Sequence, residues 1–199
     1  MIPVLVSQNV EHTSHGTRCD TLDQRWHLFL RVCDLLPVPV PNDPRAAKRL
    51  LETVPAAGLV LTGGNDLGAY GGTAPERDAA ELLLLRECVG HAIPVLGVCR
   101  GMQLLQHHFQ VPLVQVSGHV IAHQVVEVGG APRETNSYHR WGATGTTGEL
   151  DVWARTPDGV VKAVRHDTQH LLGIMWHPER LTPFAAEDIE LFRHHFEVA

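Results

Sequence analysis

Ile93-Pro94-Val95-Leu96-Gly97-Val98-Cys99-Arg100-Gly101-Met102-Gln103 is the stretch on which the fold turns. Ile93 to Val98 is short and wholly apolar, as expected of a strand covered on both faces. Arg100 to Phe109 reads as a helix, so Cys99 falls where a central strand hands over to a helix. Outward from this junction the same alternation repeats. Ile2 to Val6 reads as a first strand, and Leu22, Trp26, Phe29, Leu30, Cys33 and Leu36 recur at three- and four-residue steps, marking an amphipathic helix with Cys33 in the core. Pro37 to Pro44 is a connection with a short strand, followed by a helix at Arg45 to Thr53 and a strand at Gly58 to Thr62. Acidic residues at Glu76 and Asp78 suit the start of a helix running to about Cys88. Leu171 to Trp176 reads as a strand broken by His177-Pro178-Glu179, and Ile189, Phe192 and Phe196 mark a closing helix.

Strands alternating with helices predict an α/β fold with a mostly parallel central sheet flanked by helices. Between Val111 and Val164 the pattern changes to short β-type stretches, such as Gln124 to Val128 and Val160 to Val164, which predicts a small antiparallel portion in the second half. With no internal repeat, low-complexity tract or linker, residues 1–199 read as a single domain.

The chain has 199 residues, 44% of them hydrophobic and 19% charged, so a folded globular domain is expected rather than a disordered or fibrous chain. Its net charge is -6, and Lys48 and Lys162 are its only lysines, so neither nucleic acid nor a membrane surface is an expected partner. No apolar run approaches the roughly 18 residues of a membrane span, and Met1 to Ser7 turns polar too soon for a signal peptide. A cytoplasmic location is expected. Cys19, Cys33, Cys88 and Cys99 form no CxxC pair, which argues against zinc and against a disulfide framework. The pairs His119/His123 and His166/His170 have the spacing of two ligands on a helical face, but both lie in β-like or turn-like sequence without a carboxylate cluster. No metal and no cofactor is expected; His107-His108 and His194-His195 read as solvated helix positions.

Gly97-Val98-Cys99-Arg100-Gly101 has the G-x-nucleophile-x-G form of an elbow, in which small flanking residues permit a sharp turn that lifts the side chain into a cleft. The amides at the start of the following helix favour a thiolate over a thiol; a buried structural cysteine between strand and helix is the alternative. His177-Pro178-Glu179 offers an imidazole and a carboxylate at i and i+2, which face the same way in an extended segment; a surface turn with an ordinary ion pair fits the same residues. Gly63 and Gly64 follow an apolar strand, and their amides, with that of Arg100, suit an oxyanion hole; a bare turn is the alternative. A phosphate loop is disfavoured, since no G-x-x-x-x-G-K-[ST] is present.

Four segments together, Leu61-Thr62-Gly63-Gly64-Asn65-Asp66, Gly97-Val98-Cys99-Arg100-Gly101-Met102-Gln103, Thr135-Asn136-Ser137-Tyr138-His139 and Gly173-Ile174-Met175-Trp176-His177-Pro178-Glu179, resemble class I glutamine amidotransferases and their hydrolase relatives, the γ-glutamyl-γ-aminobutyrate hydrolase group. The resemblance implies the flavodoxin-like fold of that family, with Cys99 as nucleophile, His177 as its acid-base partner and Glu179 orienting His177. It also implies oxyanion amides from Gly64, next to Gly63, and from Arg100, with Gln103 beside the glutamyl group. Ser137, Tyr138, His139 and Arg140 would hold the α-amino and carboxylate ends. The implied activity is hydrolysis of a γ-glutamyl amide on a small molecule. Alternatives are a glutaminase that feeds ammonia to a separate synthase partner, and a catalytically silent ligand-binding regulator.

The chain departs from the family pattern at Met175, where a glutamine is usual, and at Arg140-Trp141 after His139. These leave the leaving group open. Loops at Glu11 to Asp20 and Gly68 to Pro75 are the expected seat of specificity, and oligomeric state, a homodimer included, is open. Arg18-Cys19-Asp20-Thr21-Leu22-Asp23-Gln24-Arg25-Trp26 is similar to a short bacterial subgroup linked to capsule phosphoramidate synthesis, which implies a γ-glutamyl group on a cytidine-diphosphate amidate.

Overall fold

The computed structural model describes residues 1–166 and 168–198. In chain order its elements begin with β1 (Ile2–Ser7), β2 (Asn9–His12), β3 (Arg18–Thr21), α1 (Gln24–Val32), β4 (Leu35–Val40), α2 (Pro44–Thr53) and β5 (Leu59–Leu61). There follow α3 (Pro75–Gly90), β6 (Val95–Val98), α4 (Arg100–His108), β7 (Val114–Gln115), β8 (Val120–Val128), β9 (Ala131–Tyr138) and β10 (Trp141–Gly142). The chain closes with β11 (Asp151–Arg155), β12 (Val161–His166), β13 (Leu171–Ile174) and α5 (Ala186–His195).

Nine of these strands form one sheet in the order β4-β1-β5-β6-β13-β12-β11-β8-β9. From β4 to β13 neighbours run parallel; from β13 to β9 they run antiparallel. The mixed sheet flanked by helices is the architecture expected, with the antiparallel portion in the second half.

Strand alternation sorts the core into two layers. Leu5, Leu59, Leu61 and Val95 pack with Ala47 of α2, Leu84 of α3 and Met102 of α4. Val4, Val6, Val60, Leu96 and Val98 face the other way, against Trp26, Phe29 and Leu30 of α1 and Phe192 of α5. Burying each such Leu or Phe stabilises the fold by about 1.5–3 kcal/mol.

Asp23 caps α1 by accepting from the Arg25 N–H, and Asp43 caps α2 by accepting from Ala46 ahead of Pro44 at the first turn. The first helix is shorter than its apolar spacing suggests. Asp34 takes a φ of 60°, which breaks the helix, and Leu36 becomes an exposed residue of β4. Pro37 and Pro39 fit there because β4 is an edge strand, so their missing N–H groups cost no ladder bond.

Two further expectations are corrected. Residues 11–20 are not a plain loop: β2 and β3 pair as an antiparallel hairpin, tied to α3 by Arg18, which donates to Glu76 and to the Thr73 carbonyl. His195 is not solvated like His194; its Nε2 lies 3.0 Å from the Val95 carbonyl, and burial pulls its pKa down to about 4.

Candidate active site

Cys99 sits between β6 and α4 with φ 53° and ψ -103°, a conformation that β-branched and bulky residues avoid and that stores roughly 1–3 kcal/mol of strain. Its flanking glycines are demanded by packing. A Cβ on Gly97 would lie 2.5 Å from the Gly101 carbonyl carbon, and one on Gly101 would lie 2.1 Å from the Leu61 oxygen. The turn is anchored by the Cys99 N–H donating to Ile174 at 2.7 Å, and by Gln103 N–H donating to the Cys99 carbonyl at 3.0 Å. The first amides of α4, beginning at Arg100, have no partner within the helix and concentrate positive potential beside the sulfur.

His177 follows β13 and is 2% exposed. Its Nδ1 lies 2.7 Å from Glu179 Oε1, and Cys99 hydrogen-bonds the same ring. Burial works against protonation, but the charges and hydrogen bonds of Glu179 and Cys99 outweigh it and raise the imidazole pKa to about 9. The imidazole and carboxylate meet in a 3-10 turn, Pro178–Arg180, rather than along an extended strand as the i, i+2 argument supposed. Tyr138 meets the His177 ring edge-on at 5.8 Å, and the Arg180 guanidinium lies 5.2 Å over Tyr138.

Gly63 lies against both His177 and Cys99. A Cβ there would come within 2.6 Å of His177 Cε1 and 3.5 Å of Cys99 Cβ, so only glycine lets the loop after β5 close over the pair. Gly64 has φ 114°, a region natural only to glycine. Behind the loop lies the fully buried Arg77. It donates to the Thr62 and Gly63 carbonyls, both at 2.9 Å, and to Asn9 Oδ1 at 2.9 Å, fixing the loop's peptide planes. Arg77 is paired with Glu81 at 2.8 Å, and Arg100 reaches Glu81 and Asp78. Burial opposes the Glu81 charge, but Arg100 and Arg77 prevail and hold its pKa below the usual value. The Arg100 side chain is thus committed to α3.

The cleft over His177 has a volume of about 390 Å³ and is lined by Asn9, Glu11, Thr21, Leu22, Asp23, Gln24, Trp26, Thr62, Gly63, Gly64, Glu179 and Arg180. The β2–β3 hairpin and the segment after it therefore form its far wall. Residues 68–75 do not line it; Tyr70 borders a separate depression with Asp66 and Arg140.

Of the residues expected to hold substrate, only Tyr138 touches the imidazole. Gln103 is buried, and its Nε2 donates to the Trp141 carbonyl at 2.8 Å. Ser137 Oγ donates to His119 O at 2.8 Å and accepts from Lys162 Nζ at 2.8 Å. His139 donates from Nδ1 to Trp141 O at 2.8 Å, with its Nε2 2.6 Å from Lys162 Nζ. Burial, then the Lys162 charge, pulls the His139 pKa down to about 3. Arg140 is exposed in the neighbouring depression. Side chains at 103, 137 and 139 are thus spent on internal bonds.

Sequence reasoning gave no role to Arg77, Glu81 or Lys162, nor, within its motif, to Asn136, whose side chain bonds the His177 backbone. Arg77 and Glu81 carried one signal, opposite charges at i and i+4 on a helix otherwise rich in leucine, but that pattern is ordinary on exposed helices.

A thiol, an imidazole and a carboxylate so arranged can form a nucleophilic thiolate, donate a proton and orient the donor. Against known proteins, a profile of the family Peptidase C26 matches residues 1–116 and 109–179. Gamma-glutamyl-CDP-amidate hydrolase of Campylobacter jejuni is 30% identical over 147 residues, covering 73% of this chain and 70% of that protein. Gamma-glutamyl-gamma-aminobutyrate hydrolase of Escherichia coli O157:H7 is 28% identical, covering 82% of this chain and 80% of the relative. Among solved structures, a glutamine amidotransferase from Thermotoga maritima superposes with a TM-score of 0.68 at 18% identity, covering 98% of this chain and 84% of that one, a likeness of fold.

Proposed function

The chain belongs to the peptidase C26 family, and we propose on that premise that it is a hydrolase of γ-glutamyl amides that works through Cys99. The observation that carries the reading is the Cys99–His177–Glu179 contact, with Glu179 on Nδ1 at 2.7 Å and the other ring nitrogen left for the sulfur.

In the proposed reaction the Cys99 thiolate attacks the γ-carbonyl carbon, and the carbonyl π electrons move onto oxygen. Amides of Gly64 and Arg100 receive that oxyanion, each donor contributing about 2.7–4 kcal/mol to the transition state. As the C–N bond breaks, protonated His177 gives its proton to the departing nitrogen, leaving a glutamyl thioester. Neutral His177 then takes a proton from water, the resulting hydroxide adds to the thioester, and collapse returns the electron pair to sulfur and releases glutamate. Glu179 stabilises the imidazolium and fixes its tautomer.

The leaving group belongs against the hairpin wall. Thr21 to Gln24 and Trp26, within the segment that resembles the phosphoramidate subgroup, line the cleft beside His177. We therefore put a small γ-glutamyl amine linked to a nucleotide first among the substrates to assay, which also fits the name of the Campylobacter relative. The four unpaired thiols support reading the reaction as one of a reducing compartment such as the cytoplasm. The test is steady-state hydrolysis of a panel of γ-glutamyl amines with glutamine as control, together with acid-quench mass spectrometry. A thioester on the Cys99 peptide and unaided cleavage are expected; a Cys99→Ala protein as fast as the parent would end the proposal.

A further inference from the structure

Lys162 is one of two lysines in the chain and is 1% exposed. The proposed reaction gives it no part. On β12 its carbonyl accepts from the Met175 N–H at 2.8 Å, while the Cys99 N–H donates to Ile174 at 2.7 Å. Ala163 pairs with Ile174, and Ile174 with Val98, so Lys162, Met175 and Cys99 continue one row across three strands. Two strand spacings put the outer Cα atoms about 10 Å apart.

The hydrogen bonds fix the direction of donation. Ser137 has spent its proton on the His119 carbonyl, and His139 has spent its Nδ1 proton on Trp141, so both can only accept from Lys162. Burial lowers the Lys162 pKa, and Cys99, then Asp158, act in the opposite direction. Asp158 is an exposed residue paired with His119 Nε2 at 3.1 Å. The Lys162 amine is held by Ser137 and His139 inside the protein, so any effect on the reaction passes through another group.

We propose that Lys162 is a positioning residue of the Cys99 centre: a buried ammonium, aimed by Ser137 and His139, whose charge favours the thiolate of Cys99. The inference rests on reading Cys99 as the nucleophile. Burial pulls the Lys162 pKa down to about 7 with Cys99 the main opposing influence, and such coupling is reciprocal: a thiolate favours the ammonium, and the ammonium favours the thiolate. Ser137 and His139, around the end of β9, touch the Lys162 amine, His119 ahead of β8 stacks on His139, and Cys99 at the head of α4 and Asp158 ahead of β12 act on its charge through space. Cys99 has His177, backed by Glu179, beside it and Lys162 two strands away in the same row.

The experiment measures the thiolate directly. Parent, Lys162→Met and Lys162→Gln proteins are alkylated with iodoacetamide across pH, and the Cys99 peptide is quantified by mass spectrometry. Thiolate absorbance is followed in parallel, with Cys99→Ser as blank for the other cysteines. Burial pushes Cys33 and Cys88 up to about 12, so neither interferes near neutrality. Loss of the charge is expected to lower Cys99 alkylation near neutrality by about tenfold, through an upward shift of its titration midpoint by about one unit. An unchanged midpoint in either variant with native circular dichroism overturns the proposal. Loss of the native fold in both variants overturns it too, since the role would then be structural. The outcomes stay separable: a parent protein inert toward γ-glutamyl amides defeats the proposed reaction, whereas an unmoved midpoint beside normal hydrolysis by the parent defeats only the role of Lys162.

Discussion

Asn136 and His177 hold each other through two hydrogen bonds: the Asn136 side-chain amide donates to the His177 carbonyl at 2.8 Å, and its oxygen accepts from the His177 N–H at 2.7 Å. A residue on β9 thereby sets the backbone of the imidazole from the antiparallel half of the sheet. Asn136→Ala leaves two buried backbone groups unpaired, which costs about 1–3 kcal/mol for each. A lower urea midpoint is expected, with kcat falling by about tenfold to a hundredfold as the ring loses its placement. Urea titration and steady-state kinetics check it; a variant with unchanged kcat refutes the positioning.

Glu179 is 2% exposed and holds Nδ1 of the ring. Glu179→Gln keeps the shape but removes the charge that raises the His177 pKa. A fall in kcat of about a hundredfold to ten-thousandfold is expected, with the His177 titration, read by NMR, moving down from about 9.

The buried pair Arg77–Glu81 is expected to fail when broken from one side. Glu81→Gln strips the charge partner from Arg77 and one of two from Arg100, which keeps Asp78; both guanidinium groups are essentially without solvent, and a loss of about 3–5 kcal/mol is expected. Chemical denaturation measures it. A near-neutral result would mean that the two guanidinium groups do not depend on this carboxylate.

Gly101→Ala should prevent native folding or cost several kcal/mol, because its Cβ would press to 2.1 Å from backbone at Leu61. Gly145→Ala is the matched control, with nothing within 4 Å of the new methyl, and should be close to neutral. Thermal unfolding of the two proteins distinguishes these outcomes.

Stability should also depend on pH with a sign set by the buried bases. His139 and His195 have folded pKa values lowered to about 3 and about 4 from 6.5, so below about pH 6.5 the unfolded chain binds their protons first and stability falls with pH. Each contributes a slope of up to about 1.4 kcal/mol per pH unit. His177 is the reverse: its contribution is complete below about 6.5 and lost as pH rises through about 9. Lys162 opposes it, because its penalty is complete below about 7 and relieved as pH rises toward 10.5. Lys162→Met should therefore expose the His177 decline between about pH 6.5 and 9, where the parent is flatter. Urea midpoints across that range test it.

Much of this was legible one residue at a time. The run Ile93 to Val98 announced a covered strand because both its faces are apolar, and the glycines around Cys99 announced a sharp turn. Leu36 misled, because its helical spacing continues past Asp34, where a positive φ breaks the helix and pairing with β1 takes over. The hairpin at residues 9–21 was hidden by its polar composition, since it packs on the rim of a cleft rather than in the core. Ser137, Gln103 and His139 carried motif positions, yet no pattern along the chain indicates whether a polar side chain faces a ligand or another buried residue.

The amino-acid sequence by itself determined the alternation of strands and helices, the elbow at Cys99 and the pairing of His177 with Glu179, because each depends on neighbours a few residues apart. Only the tertiary structure decided that the sulfur meets the imidazole, that Arg77 anchors the Gly63 loop and that Lys162 lies buried across β13 from Cys99. Those contacts join residues far apart in sequence, and strand order together with side-chain burial fixes them, neither of which local periodicity encodes.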